Sequence, residues 1–293
     1  MGKRRVLRLR VSTACVAYVV VPVMDLLPSK GSVVPFLEAV ESKNQLLAVW
    51  SALVAERQGV VGVDDGVGRM WADSPFAFWN TVTLTDADIS GSALKDRLGR
   101  AADFMRGREQ FGYLWVFEDL IAPDAREDLL PSAAAAGLEL AFTGYGMAGD
   151  LDIPEPAHPD LEIRRVRTEE DLLAYGEING HAYGMPVEVG RAAVPGSRLW
   201  LDSYAYIAYR DGRPVSCAAT VAGPDSLFLA LVATLPGEMR RGYGEAVTRK
   251  AIHEGIRHTG HHRVVLHATE AGRPVYERIG CTPNSPIRFF QLS

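Results

Sequence analysis

The sequence predicts an α/β protein built as two successive domains with mixed sheets, and three observations predict it. Its 293 residues are enough for two domains of ordinary size. Strand-like and helix-like apolar periods alternate along both halves. Between the halves, Pro154-Glu155-Pro156-Ala157-His158-Pro159 puts three prolines in six residues, which neither a helix nor a strand accommodates and which stiffens a connection. The expected division is an amino-terminal extension over 1–30, a first domain over 31–153 and a second over 160–293.

Composition narrows the class. With 47% hydrophobic and 23% charged residues the chain is globular rather than disordered. The net charge of −5 lies almost wholly in residues 1–159, which hold 15 Lys/Arg against 21 Asp/Glu, whereas residues 160–293 hold 16 and 15. No basic face for nucleic acid is expected from that balance. Cys15, Cys217 and Cys281 are odd in number and far apart, so they fit neither a disulfide framework nor a paired-cysteine metal site, and a reducing compartment is expected.

In the first half, apolar spacing predicts a helix over Val34–Arg57, strands at Phe76–Leu84 and Tyr113–Phe117, a helix between Ser92 and Met105, a helix over Pro123–Ala136 stopped by Gly137, and a strand at Leu138–Phe142. Gly59–Gly68 reads as a turn-rich acidic stretch. The second half restarts with a strand at Leu161–Val166 and a helix capped by Thr168. A three-stranded meander follows over Tyr204–Tyr209, Val215–Val221 and Ser226–Thr234, with Asp211-Gly212 at the first turn. A helix at about Gly242–Arg257, a strand at Val264–Ala268, a helix around Arg273–Ile279 and a strand near Arg288–Leu292 complete the order β-α-βββ-α-β-α-β.

The informative stretch is the apolar run Leu229–Leu235 followed by Pro236-Gly237-Glu238-Met239-Arg240-Arg241-Gly242-Tyr243-Gly244. A strand there delivers the chain to a two-glycine loop on which a helix begins. Helix amino termini offer unpaired N–H groups and partial positive charge, which suits a pyrophosphate. Gly242 and Gly244 keep side chains away from the backbone, and Arg240 and Arg241 add cationic donors. Neither a Gly-Lys-Ser/Thr nor a third glycine follows, which excludes the nucleotide P-loop and the dinucleotide fingerprint.

Here the sequence resembles the GNAT superfamily of N-acyltransferases. Met239–Gly244 matches that family's (Gln/Arg)-x-x-Gly-x-(Gly/Ala) loop, with Met239 departing at the first position. His267–Cys281, containing Val275-Tyr276-Glu277-Arg278-Ile279-Gly280-Cys281, resembles the closing Leu-Tyr-Glu-x-x-Gly-Phe block. The resemblance covers about Leu161–Leu292 and implies a GNAT acyl-CoA N-acyltransferase fold. It implies acetyl-CoA as acyl donor, cradled by Val232, Ala233, Thr234, Met239, Arg240, Arg241, Gly242, Tyr243, Gly244 and Glu245. It also implies Tyr276 beside the CoA sulfur, as proton donor to the departing thiolate. The base that deprotonates the amine is open among Glu270, Glu177, His181 and His267, with Glu270 carried forward beside Tyr276 as catalytic.

The first half has the same alternation but no equivalent loop. It is expected to be a degenerate GNAT-like copy that covers the acceptor cleft or supports the fold, in a tandem arrangement. The expected reaction is acetyl transfer to a primary amine by direct attack in a ternary complex; a CoA-binding regulator without turnover is the alternative. A small-molecule or peptide amine is the expected partner and a homodimer is compatible, whereas nucleic acid and stable membrane association are not expected. Lys3–Arg10 followed by the apolar Val11–Leu27 has the grammar of a signal peptide, but a buried strand at Tyr18–Val23 or an upstream extension serves as well, and a cytoplasmic location is expected. No metal is expected. His258, His261 and His262 fall where a helix ends, and Trp71, Trp79 and Trp115 read as core.

Overall fold

The computed structural model describes residues 33–293, so the predicted strand at Tyr18–Val23, the basic amino-terminal run and Cys15 lie outside the described residues. The chain makes two passes in a similar order, the second with a leading strand and two short helices that have no counterpart among the described residues of the first. The first runs α1 (Val33–Glu56), β1 (Val60–Asp64), β2 (Val67–Trp71), β3 (Asn80–Leu84), α2 (Gly91–Arg106), β4 (Tyr113–Phe117), α3 (Leu129–Ala135) and β5 (Leu138–Asp150). The second runs β6 (Glu162–Arg165), α4 (Glu169–Ala182), α5 (Val187–Ala193), α6 (Arg198–Asp202), β7 (Tyr204–Arg210), β8 (Arg213–Ala222), β9 (Leu227–Thr234), α7 (Tyr243–Thr259), β10 (Arg263–Thr269), α8 (Arg273–Ile279) and β11 (Thr282–Leu292).

Local chemistry explains the repeated pieces. Each pass opens its meander with a hairpin on Asp-Gly at positive φ, Asp65-Gly66 and Asp211-Gly212, the turn whose twist matches paired strands. Each then makes a parallel pair, β3 with β4 and β9 with β10, joined by a crossover helix, α2 or α7. Thr168 caps α4, as its sequence position predicts, and Asp171 adds the reciprocal bond of a capping box.

All described strands join one eleven-stranded sheet in the order β1-β2-β3-β4-β11-β5-β10-β9-β8-β7-β6. The last strand of each pass is exchanged: β5 pairs with β10, and β11 pairs with β4. The two exchanged strands pair with each other, from Thr282↔Ala148 to Leu292↔Leu138. Pro154–Pro159 carries no helix or strand and separates the passes in sequence, but the sheet is continuous in space. The core is shared as well. Trp50 of α1 meets Trp79, Trp115 and Phe228 edge-on at 5.6, 6.0 and 5.9 Å, and Phe228 belongs to the second pass.

The structure corrects several boundaries. β5 runs thirteen residues, well past the predicted Leu138–Phe142, through Gly144, Gly146 and Gly149. They are needed for close approach: a Cβ on Gly144 would lie 2.7 Å from the Ala268 carbonyl and 2.9 Å from the Phe289 ring. β11 likewise begins at Thr282 rather than near Arg288. Phe76–Trp79 is a turn and a 3-10 segment before β3, Pro123–Asp128 is 3-10 rather than α-helical, and α5 and α6 were not anticipated. The acidic Gly59–Gly68 stretch is the β1–β2 hairpin, so it is not the first pass's counterpart of the glycine loop.

Residues 160–293 produced alone would lack β5 and β4, leaving β10 with one unpaired apolar edge and β11 with both edges unpaired. That fragment is expected to aggregate or to unfold without a cooperative transition, read by size-exclusion chromatography and far-UV circular dichroism.

Candidate functional site

The site begins with a break in the sheet. β9 faces β8 in register from Ala222↔Leu227 to Ala219↔Ala230, and again at Cys217↔Ala233, so Leu231 and Val232 stand opposite the single Ala218. This β-bulge puts Leu231 at φ 49°, a left-handed conformation unusual for leucine. The displaced Leu231 carbonyl accepts a hydrogen bond from the Tyr175 hydroxyl of α4 at 2.9 Å. On its other edge β9 pairs with β10 only from Leu227↔Val264 to Leu229↔Leu266. Beyond that point the strands part. A cavity of about 80 Å³ opens in the wedge, lined by Phe228–Leu231 and His267–Thr269.

Immediately after β9, Pro236–Glu238 makes one 3-10 turn. Glu238 is held by Arg210 at 3.1 Å and by Arg241 at 3.5 Å. Arg240 (φ 60°) and Gly242 (φ 81°) both take left-handed conformations, turning the backbone sharply onto α7. Among the described residues no side chain caps that helix, so its first N–H groups are available to an anion. Gly244 lets the first turn abut the strand, since a Cβ there would sit 2.9 Å from the Thr234 hydroxyl, itself 2.8 Å from Ser216. Among the described residues no ion pair involves Arg240, whose side chain is exposed, as is Met239. His158, from the proline-rich connector, packs edge-on to Tyr243 at 5.2 Å.

The predicted donor-binding residues therefore lie together. Val232, Ala233 and Thr234 form the end of the bulged strand, Met239–Gly242 the loop, and Tyr243, Gly244 and Glu245 the first turn of the helix. The Glu245 side chain is engaged by Arg249 and Arg278, both at 2.9 Å, so its backbone N–H is the part free to face a ligand. Tyr276 is buried on α8, and its hydroxyl has no hydrogen-bond partner among the described residues. Burial holds its pKa well above the usual tyrosine value, and Tyr183 interacts with it electrostatically.

The base candidates separate. Glu270 is exposed in the turn after β10 and does not line the cavity. Glu177 is tied to Arg191 at 2.5 Å, and His181 is exposed. His267 lines the cavity, its Nε2 3.2 Å from the Ser42 carbonyl and 3.0 Å from the Ser42 hydroxyl. Outside the site, His258 and His262 each place Nδ1 2.8 Å from a carbonyl, that of Glu254 and that of Leu151.

Sequence reasoning missed the far wall of the cavity: Trp50, Phe78, Trp115 and Phe142 from the first pass, Tyr183 and Phe289 from the second. Trp115 read as core and the other five were not singled out, because no single segment holds more than one of them. The first pass also has its own β-to-helix loop, Thr85–Ser90, at the position matching 235–242. It carries Asp86 and Asp88, and Lys43 donates to the Thr85 carbonyl at 2.5 Å. Two carboxylates stand where the second pass has arginines and glycines.

Residues 175–281, from α4 to the residue before β11, match the model of the acetyltransferase (GNAT) family. No curated protein matches the chain. A GCN5-related N-acetyltransferase from Kribbella flavida superimposes with a TM-score of 0.63 at 17% identity, over 89% of this chain and 96% of that one. A GCN5-related N-acetyltransferase from Sphaerobacter thermophilus gives 0.55 at 14% identity, over 77% and 76%. A GCN5-related N-acetyltransferase-like protein from Streptococcus suis gives 0.51 at 14% identity, over 88% and 100%. The chain thus has the mixed α/β fold of the GNAT acetyltransferases.

Replacing Tyr175 by phenylalanine leaves the Leu231 carbonyl at the bulge with only the long 3.8 Å contact from the Cys217 thiol. Urea unfolding is expected to show a loss of about 1–2 kcal/mol.

Proposed function

We propose that the protein is an acetyl-CoA-dependent N-acetyltransferase acting on a primary amine by direct attack in a ternary complex. The observation that carries this reading is the junction of the Leu231–Val232 bulge with the uncapped amino terminus of α7. It sets backbone N–H groups for a pyrophosphate one loop away from a wedge in the sheet that can admit a thioester.

In this reading, α7's first N–H groups with Arg240 and Arg241 hold the phosphates, and Gly242 and Gly244 admit them to the backbone. Positioning the thioester beside the amine supplies most of the acceleration. A backbone N–H in Leu231–Thr234 stabilises negative charge on the carbonyl oxygen. The amine nitrogen bonds to the carbonyl carbon as the carbon–sulfur bond breaks, and Tyr276, kept protonated by burial, gives its proton to the sulfur. Glu270, exposed on its turn, reaches the amine only through water.

The same reading makes the first pass a degenerate GNAT-like copy in tandem with the second. The repeated element order, the mutual exchange of β5 and β11, and the Asp86 and Asp88 carboxylates in its helix-entry loop support this.

A charge-specific pair of variants tests the donor site. Gly242→Asn and Gly242→Asp both introduce a short side chain of the kind tolerated at positive φ, and the nearest atom to a Cβ there is 3.6 Å away. Only the aspartate adds negative charge beside the phosphates. Calorimetry is expected to give one acetyl-CoA per chain, with affinity at least about tenfold weaker in Gly242→Asp than in Gly242→Asn. Equal affinities would remove the phosphates from this loop, and binding without thiol release on any amine would favour a regulator.

Tyr276→Phe tests the acid. Thiol-release kinetics are expected to show kcat lowered by roughly 10²-fold with KM for acetyl-CoA little changed, because the proton is needed only as charge develops on sulfur.

A further inference from the structure

The two edges of the sheet are unlike. At one end β6 carries Glu162, Arg164 and Arg165. Arg164 donates to Glu162 at 2.6 Å and lies 4.4 Å over the Tyr209 ring, and Arg165 lies 5.2 Å over Tyr204. Charged side chains of this kind keep another strand from adding to an edge. At the other end β1 reads Val60-Val61-Gly62-Val63-Asp64, and among the described residues its one neighbour is β2. Val60, Val61 and Val63 are 37%, 43% and 62% exposed. This edge therefore presents apolar side chains, with no lysine, proline or bulge to protect it.

The backbone of β1 is half used. The Gly66 carbonyl accepts from the Thr85 N–H at 2.9 Å, and the Ala72 N–H donates to the Trp79 carbonyl at 3.0 Å. Bonding directions alternate along an antiparallel strand, so Gly68 and Met70 also turn toward β3, and Val67, Arg69 and Trp71 turn toward β1. Their partners there are Asp64, Gly62 and Val60. The N–H and C=O groups of Val61 and Val63 are left pointing out of the sheet, on either side of Gly62.

The fold of one molecule does not require that glycine. Gly62 is not in the left-handed region, and a Cβ built on it meets nothing within 4 Å. Its neighbours in the hairpin differ: a Cβ on Gly59 would run into the Trp71 carbonyl, and one on Gly68 would lie 2.8 Å from Leu47. Glycine inside a strand weakens it, and commonly marks a place where another backbone approaches closely.

We propose that β1 pairs antiparallel with β1 of a second molecule of this chain, about a two-fold axis at Gly62, so that the sheet continues across a homodimer. In that register Val61 lies opposite Val63 of the second molecule, and every outward N–H of either strand meets an outward C=O of the other. Each Val61 packs against a Val63 on one face, a favourable cross-strand pair. Gly62 faces its own equivalent at a pair without hydrogen bonds, where strands run closest and any side chain would meet itself. Asp64, the one charged residue of the strand, is ion-paired with Arg69 at 3.7 Å. It faces Val60 of the second molecule and stays clear of the other Asp64. An unrelated strand would use the same backbone groups but gives no reason for a glycine at the centre. Five residues a side fall below the roughly 20–30 of a standard interface, so the dimer dissociates readily, with Kd on the order of 10⁻⁵ M.

A charge-reversal pair tests this. Gly62→Asp and Gly62→Lys each set like charges against one another at the axis, and the open space around Gly62 leaves the fold of each molecule intact, as circular dichroism would show. Sedimentation velocity follows the full-length protein from about 1 to 200 µM, a range that brackets the expected Kd. Wild type is expected to pass from monomer to dimer, and each variant alone to associate at least about tenfold more weakly. An equimolar mixture of the two variants is expected to recover association, because a two-fold at Gly62 sets the aspartate against the lysine. Amide hydrogen exchange on wild type needs no substitution, and protection of Val61 and Val63 is expected to rise with protein concentration. A wild-type protein that stays monomeric, a dimer that both variants leave intact, a mixture that stays apart, or exchange at β1 that ignores concentration would each overturn the proposal.

Discussion

The pairing of β5 with β11 is the constraint on which the rest of the structure depends. It is the one contact between strands made by both passes at their ends, and it joins a four-stranded arm and a five-stranded arm into a single sheet. On its other edge β5 pairs with β10 along the whole of that strand, so the β10 side of the wedge between β9 and β10 is hydrogen-bonded throughout. It also delivers Phe142 and Phe289, from opposite passes, into stacked contact at the cavity wall. The pocket is therefore a product of the exchange rather than of either pass.

Within that frame, equivalent positions carry opposite electrostatics. Both passes run a strand into a loop and the loop into a crossover helix. One loop has Asp86 and Asp88, with Arg97 paired to Asp86; the other has Arg240, Arg241 and two glycines at an uncapped helix start. The backbone geometry is repeated, and the side chains decide which copy attracts an anion.

How much of this the sequence displayed depends on whether the signal was local. α8 was legible to the residue because Gly272, Pro274 and Gly280 punctuate it, and α4 because Thr168 and Asp171 make a reciprocal cap. The loop at Met239–Gly244 and Tyr276 were legible as motifs. β5 was not, because Gly144 and Gly146 resemble turn residues until the neighbours they make room for are known. The strand exchange was not, since nothing near Thr282 or Leu138 specifies a partner on the far side of the molecule. Nor was the aromatic wall, whose rings come from α1, β4, β5 and β11 and converge only after the sheet has formed. His267 was one of four equal candidates by residue type, and what distinguishes it is Ser42, more than two hundred residues away.

The exchange has a consequence for how the molecule is made. On the ribosome, β4 emerges long before β11, its neighbour in the finished sheet. At about 5–20 residues per second the interval is on the order of ten to thirty seconds. Throughout that time the edge of β4, with Leu114, Val116 and Phe117, waits without its partner. Vectorial synthesis thus leaves the first-made portion incomplete until β11 has been made, and an exposed apolar edge of that kind invites capture by a chaperone or pairing with another nascent chain.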